Sequence, residues 1–179
     1  MALKSTIHKV ELAVADMDRN HFATYALTIA RHPSETEERM MMRVLAFALY
    51  ADERLGFGKG LCADDEADLW QIDYGGEIRR WIDVGQPDEK WIRKACARAD
   101  AVVIMPYARM TDTWWQGVRN RVTRLDNLEV VRVNAESAGE LAGLCQRSMR
   151  LQASIQDGHV WFSDGERTVS IEPERLYPL

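Results

Sequence analysis

The segment from Asp68 to Asp83 constrains the fold of this chain more than any other stretch. It contains Gly75-Gly76, a dipeptide typical of a tight β-hairpin turn, between two runs rich in strand-forming residues. If these glycines form the turn, Trp70 lies opposite Trp81. Cross-strand aromatic pairs are favourable, so the tryptophans support this register. The register also places Asp68 opposite Asp83, at the open end of the hairpin.

Two facing carboxylates need an explanation, because like charges opposite each other destabilise a strand pair. At about 5 Å and an effective dielectric of about 20, the repulsion between Asp68 and Asp83 is roughly 3 kcal/mol. A divalent cation would offset this cost. If the pair is instead exposed and screened, the cost falls below about 1 kcal/mol and no ion is required. A four-residue turn centred on Tyr74 is a further alternative, which would shift the pairing and move one aspartate to the other face.

Length and composition predict a single domain over residues 1–179. The chain is 46% hydrophobic and 28% charged, enough for a core without metal or disulfide staples. Its three cysteines, Cys62, Cys96 and Cys145, lack paired spacing and are predicted to be reduced thiols. No apolar run is long enough to cross a membrane, so we expect a cytoplasmic protein without a membrane partner. The net charge of −5 argues against coating nucleic acid by bulk attraction, but it leaves room for a local basic face.

The N-terminal half is predicted to contain a hairpin and a helix. Alternating apolar residues over 6–16 and 22–31 predict two strands around a turn at 17–20. The segment Ser34–Glu37 is typical of a capping box, with Ser34 as the cap of a helix that runs to about Asp52. The glycine-rich segment 55–61 is predicted to be a flexible loop. The acidic run 64–68 that follows fits either a solvated turn or a metal site.

The C-terminal half alternates helices and strands. A helix starting at Asp88-Glu89 leads into a buried strand at 101–105, predicted to pair in parallel with the strand at 81–84. Another helix is expected at 112–123, a strand at 128–133 and a short helix at 137–147. Asp157-Gly158 and Asp164-Gly165 divide the remainder into a β-meander. The predicted fold class is α/β, a mixed β-sheet flanked by helices with an N-terminal hairpin and a C-terminal meander.

This order of elements resembles the core of the PD-(D/E)XK nuclease superfamily, with a restriction-endonuclease-like sheet. The resemblance implies that Asp68 and Asp83 are metal ligands, and that Glu38, on the preceding helix, contacts the ion directly or through water. The ion would be Mg²⁺ or Mn²⁺, hard cations that prefer oxygen ligands. Two positions depart from the motif. Ala67 stands in place of the proline, and Gly85 in place of the lysine that supports the attacking water.

Another residue would have to replace the lysine that is absent at Gly85. Lys94 on the following helix is the first candidate and Lys90 the second, while Gln86 is a candidate to orient water. The alternative is that both lysines belong to an ordinary solvated helix face.

A second resemblance covers nearly the whole chain. Its segments are similar to those that mark the bacterial YaeQ family: residues 1–6, 30–36, 50–55, 60–66 and 151–158. The resemblance implies a variant of the nuclease fold in a family with no established reaction.

Two functions of different classes follow. The first is a metal-dependent phosphodiesterase that cuts a nucleic acid, with Asp68, Asp83 and Glu38 at the metal and Lys94 beside the attacking water. The second is a catalytically degenerate nuclease fold that binds a protein or a nucleic acid without turnover. A third hypothesis is a regulator that docks through Trp114-Trp115, although a tryptophan pair at helical spacing is also typical of core packing.

Overall fold

The computed structural model describes residues 4–59 and 65–179, which contain eleven strands and four helices in two mixed sheets. In chain order they are β1 (Thr6–Asp16), β2 (His21–Arg31), α1 (Glu37–Leu49), β3 (Leu55–Phe57), β4 (Leu69–Ile72), β5 (Ile78–Val84), α2 (Glu89–Arg98), β6 (Ala99–Met105), α3 (Thr111–Val122), β7 (Leu128–Arg132), α4 (Ala135–Ala142), β8 (Ser148–Gln156), β9 (His159–Ser163), β10 (Thr168–Ile171) and β11 (Glu174–Tyr177). No helix in these ranges is long and apolar enough to cross a membrane.

The first sheet joins the two ends of the chain in the order β10-β9-β8-β1-β2. The predicted hairpin of β1 and β2 is confirmed, with an unbroken register from Thr6 opposite Arg31 to Asp16 opposite His21. The predicted C-terminal meander is also present as β8, β9 and β10. Its first strand pairs in parallel with β1, so the meander and the hairpin form one sheet.

The second sheet has the order β11-β7-β6-β5-β4-β3. The predicted parallel pairing of β5 with β6 is confirmed, and β7 continues it in parallel. Side chains alternate between the two faces of a strand, so each central strand contributes to two clusters. Ile82 and Val103 face a core that also contains α1 and the first sheet, whereas Trp81 and Val102 face α2 and α3. Helices α1 and α2 therefore lie on opposite faces of this sheet.

Two predictions for the segment between β2 and β4 are wrong. The N-cap of α1 is Thr36, whose side chain accepts from the Arg39 backbone N–H, and not Ser34. The stretch from Leu55 to Phe57 is not a loop, because it pairs with β4 as an edge strand. Gly60 and Leu61 of the predicted loop lie outside the described residues, as do Cys62 and Asp64 of the acidic run.

The register of the β4–β5 hairpin is confirmed where it matters, with Leu69 opposite Ile82 and Trp70 opposite Trp81. The turn itself differs from the prediction. It spans Asp73 to Glu77, and Gly76 adopts a φ of +84°, which favours glycine. A register shift between Gln71 and Ile72 absorbs the longer turn, so the pairing at the open end is unaffected.

Candidate functional site

The hairpin brings Asp68 and Asp83 together, as its register predicts. Asp68 directly precedes β4 and Asp83 lies in β5. The Asp68 backbone N–H donates to Asp83 Oδ1 at 3.0 Å, and the Val84 N–H donates to Asp68 Oδ2 at 2.9 Å. Asp68 is 6% exposed and Asp83 5%. The alternative of an exposed, screened pair is therefore wrong. The charges of Asp68 and Asp83 must be balanced inside the protein.

Asp68 is balanced by Arg39 from α1. The Arg39 guanidinium donates to Asp68 Oδ1 at 2.7 Å and to Glu35 Oε2 at 2.6 Å. Glu35 in turn accepts from Arg43, which is buried together with it. Burial alone would lower the pKa of Arg39, but Asp68 and Glu35 outweigh it and raise that pKa. Two arginines and two carboxylates thus form a continuous network in which only Arg39 is partly exposed.

Asp83 is bonded on the face of the second sheet that α2 covers, opposite the face that α1 covers. The indole N–H groups of Trp81 and Trp91 both donate to its Oδ2, at 2.7 and 2.6 Å. Burial, and then the neighbouring charge of Asp68, raise the pKa of Asp83 to about 6, although these hydrogen bonds act to lower it. The second carboxylate of the pair is therefore stabilised by neutral donors and not by a cation.

In this arrangement, protein groups already compensate the charges of the pair. Each of the four carboxylate oxygens of Asp68 and Asp83 accepts from a protein N–H, and Asp83 Oδ2 accepts from two. Arg39 already supplies the positive charge that an ion would bring. Across residues 4–59 and 65–179, no three His, Cys, Asp or Glu side chains are grouped as metal ligands. The assignment of a metal to Asp68, Asp83 and Glu38 stays a prediction.

The other predicted site residues make contacts of their own. Lys94 Nζ forms an ion pair with Asp65 and lies 5.4 Å from the centre of the Trp91 ring. Gln86 Nε2 lies 3.4 Å from Thr111 Oγ1. Glu38 is half-buried, and its carboxylate lies beside Gly139 of α4. Lys90 is exposed on α2.

Sequence reasoning missed Arg39, although the sequence contains a signal for it. Glu35, Arg39 and Arg43 are spaced four residues apart, which places the two arginines along one side of α1 and the glutamate just before its first turn. A carboxylate followed at this spacing by two arginines, in a mostly apolar helix, indicates an internal ion-pair network. The second carboxylate that Arg39 bonds, Asp68, is 29 residues from Arg39 in the sequence. Helical spacing carries no information about such a distant partner.

A second candidate surface lies on α2, α3 and the residues beside them. Residues 88–124 contain eight lysines and arginines and four acidic residues, a net charge of +4, which leaves −9 on the rest of the chain. All eight basic side chains are exposed. We call them the basic surface: Lys90, Arg93, Lys94, Arg98, Arg109, Arg119, Arg121 and Arg124.

The basic surface is only partly neutralised. Glu89 accepts from both Arg93 and Arg121, and this contact ties α2 to α3. Within the described part of the chain, Lys90 and Arg124 make no salt bridge. The sequence permitted a local basic face, and the structure places it on the helices that cover one face of the second sheet.

The fold and the site define an α/β protein of two mixed sheets with a buried acidic pair, one member of which is bonded to an arginine. The model of the YaeQ protein family matches residues 1–173. The chain is 46% identical over 172 residues to the uncharacterized protein YaeQ of Escherichia coli (strain K12), covering 96% of this chain and 95% of that one. It is also 46% identical over 173 residues to the uncharacterized protein YaeQ of Salmonella typhi, covering 96% of each.

Two solved structures share the whole architecture. The crystal structure of the YaeQ protein from Xanthomonas axonopodis pv. citri has a TM-score of 0.94 at 46% identity, over 96% of this chain and 98% of that one. The crystal structure of the YaeQ protein from Pseudomonas syringae has a TM-score of 0.93 at 32% identity, over 98% and 97%. The chain belongs to the YaeQ family.

Proposed function

We propose that this chain is a nucleic-acid-binding protein built on a nuclease-like fold that no longer cuts. The order of α1, β4, β5, α2 and β6 resembles the core of the PD-(D/E)XK nucleases, and Asp68 and Asp83 occupy the positions of its acidic residues. The observation that carries the loss of cleavage is Arg39, whose guanidinium is bonded to Asp68 and places a positive charge beside it. Gly85 in the lysine position supports the same conclusion, since Lys94 is bonded to Asp65.

The partner is inferred from charge. Residues 88–124 have a net charge of +4 in a chain of net charge −5, and their lysines and arginines are exposed on and beside α2 and α3. Such an asymmetry attracts a polyanion to one face while the rest of the surface repels it. Lysine and arginine contacts to phosphates supply most of sequence-independent nucleic-acid binding. The basic surface therefore suits a phosphate backbone better than a neutral protein partner.

Reversing two unpaired charges of the basic surface should weaken nucleic-acid binding. We expect Lys90→Glu combined with Arg124→Glu to reduce affinity for labelled single- and double-stranded DNA and RNA about 10-fold or more at about 50 mM salt. Each lost phosphate contact should lower the slope of log K against log salt by about 1. Fluorescence anisotropy across a salt series measures both quantities.

The matched control changes the net charge equally on the first sheet. Arg147 and Arg150 are both exposed near the start of β8, and their replacement by glutamate should leave the affinity close to that of the native protein. Equal losses in the two double variants would mean that net charge alone governs binding. No saturable binding by the native protein at low salt would remove the proposed function.

The proposed loss of cleavage has its own test. We expect native protein with Mn²⁺ to leave labelled nucleic acids intact and to give no saturable heat in calorimetry. In Arg39→Ala, Asp68 loses its cation, so Mn²⁺ should bind measurably, and adding Asp83→Asn should abolish that binding. Circular dichroism checks that each variant is folded. Mn²⁺-dependent cleavage by native protein that disappears in Asp83→Asn would overturn the proposal and restore the phosphodiesterase hypothesis.

A further inference from the structure

The outer strand of the first sheet, β2, is long and unprotected. It runs for 11 residues from His21 to Arg31, and it pairs with β1 residue by residue without a bulge. Between its two terminal residues it contains no charged residue and no proline. Edge strands of stable monomers are usually blunted by short length, charge, proline or a bulge. None of these features is present along β2.

The backbone groups on the outer side of β2 can be assigned from the register. The Lys9 N–H donates to Arg147 O, so the Lys9 backbone points toward β8 and away from β2. Antiparallel pairs alternate between bonded and non-bonded residues, and Thr28 faces Lys9. The residues that share this outward orientation are Phe22, Thr24, Ala26, Thr28 and Ala30, and all five are exposed.

In the described ranges, no strand pairs with this outer side. One bond to it is present, from the Arg43 guanidinium to Ala30 O at 3.0 Å. Among the described residues, the other outward N–H and C=O groups from Phe22 to Thr28 have no hydrogen-bond partner. They form a row of donors and acceptors that another strand can complete.

We propose that this row pairs with β2 of a second copy of the chain, antiparallel and with Ala26 opposite itself. The two-fold axis then places Thr24 opposite the partner's Thr28, and Phe22 opposite the partner's Ala30. Threonine pairs across strands are favourable, and no like charges face each other at the centre. The two five-stranded sheets become one continuous sheet.

Two exposed apolar side chains identify the second copy as the occupant, and not an unrelated strand. Phe22 is 60% exposed and Ile7 is 46% exposed. Ile7 lies beside Ala30 in the β1–β2 register. In the proposed pairing, Phe22 faces the small side chain of the partner's Ala30 and reaches across it to the partner's Ile7. The symmetry makes this contact twice, so that both exposed apolar side chains of each copy are covered.

The charges next to the axis are compatible with this pairing. Glu11 is the neighbour of Ala26 on β1, and it forms a salt bridge with Arg150 at 3.1 Å. The two copies of Glu11 would be separated by three strand spacings, about 14 Å, beyond the screening length at physiological salt. An interface of about five outward residues on each side is small, so we expect dissociation in the micromolar range.

Sedimentation equilibrium over about 1 to 200 µM tests the proposal, since micromolar dimers dissociate within that range. We expect the native protein to pass from monomer to dimer. Ala26→Lys should raise the dissociation constant at least about 10-fold, because the two lysines would face each other across the axis. Position 26 is exposed and its backbone points outward, so the fold should be retained. Gln152→Lys, on the same face of the inner strand β8, should dimerise like the native protein.

Disulfide trapping tests the register. Ala26→Cys should crosslink to its own counterpart under mild oxidation, because facing Cα atoms about 5.5 Å apart suit a disulfide. Thr24→Cys should not crosslink alone, but it should when mixed with Thr28→Cys. The native protein gives the background from its own cysteines. A monomer at all concentrations, an Ala26→Lys dimer as tight as the native one, or crosslinking of Thr24→Cys as fast as that of Ala26→Cys would overturn the proposal.

Discussion

Replacing Arg39 with methionine should lower the free energy of unfolding by about 3 to 5 kcal/mol at neutral pH, the range for breaking a buried ion pair from one side. Arg39 bonds both Glu35 and Asp68, and neither carboxylate is more than 6% exposed. Methionine keeps much of the packing volume but leaves Asp68 without a cation and Glu35 with Arg43 alone. Urea denaturation followed by tryptophan fluorescence measures the loss.

An exposed arginine provides the control for this experiment. Arg93 also bonds a carboxylate one helical turn away, Glu89, but half of its side chain is exposed. Arg93→Met should therefore cost less than about 1 kcal/mol. The loss of stability in Arg39→Lys should lie between those of the two methionine variants. An ammonium keeps the charge but cannot bond two carboxylates in the planar geometry of a guanidinium. Equal small losses for Arg39→Met and Arg93→Met would show that water replaces Arg39.

Local patterns were sufficient for most strands and helices. The register of β4 with β5 follows from two tryptophans and a nearby turn, all within one hairpin. Helix α2 follows from Asp88, which caps it, and from the spacing of its apolar residues. In both cases the interacting residues lie close together in sequence, so periodicity and turn chemistry contain the relevant information.

Pairings between distant segments could not be predicted in the same way. Strand β8 was expected only as part of a local meander, yet it pairs in parallel with β1, more than a hundred residues earlier. Strand β11 was not predicted at all, and it completes the second sheet beside β7. An alternating pattern shows that a strand has one buried face, but it does not identify the neighbour that supplies its hydrogen bonds.

The candidate site shows the same division. The proximity of Asp68 and Asp83 is a local consequence of the hairpin register, and it was predicted. The groups that balance the two carboxylates were not predicted, because Arg39 comes from the helix on one face of the sheet and Trp91 from the helix on the other. The prediction of an ion rested on electrostatic repulsion and on the resemblance to PD-(D/E)XK nucleases. Repulsion shows that a compensating group is needed without showing whether that group is a metal or a side chain.

The stability of the native protein relative to Asp83→Asn should fall by up to about 3 kcal/mol as the pH rises from about 4 to about 7. Burial and Asp68 raise the pKa of Asp83 from 3.8 to about 6. The folded state therefore binds the Asp83 proton more tightly than the unfolded state does. The associated stability is fully present below the unfolded pKa and is lost as the pH rises through the folded one.

Urea denaturation of both proteins across this pH range isolates the effect, because carboxylates that titrate alike in the two proteins cancel in the difference. Asparagine also replaces one acceptor of Asp83 with a donor, and the resulting loss of stability is largely independent of pH. The test is therefore how the stability difference between the two proteins changes with pH. Trp91→Phe provides an independent check. It removes a hydrogen bond that lowers the pKa of Asp83, so the fall should move to higher pH. A difference that stays constant with pH would mean that Asp83 ionises without the penalty of burial, and that its carboxylate is hydrated and not enclosed by the two indoles.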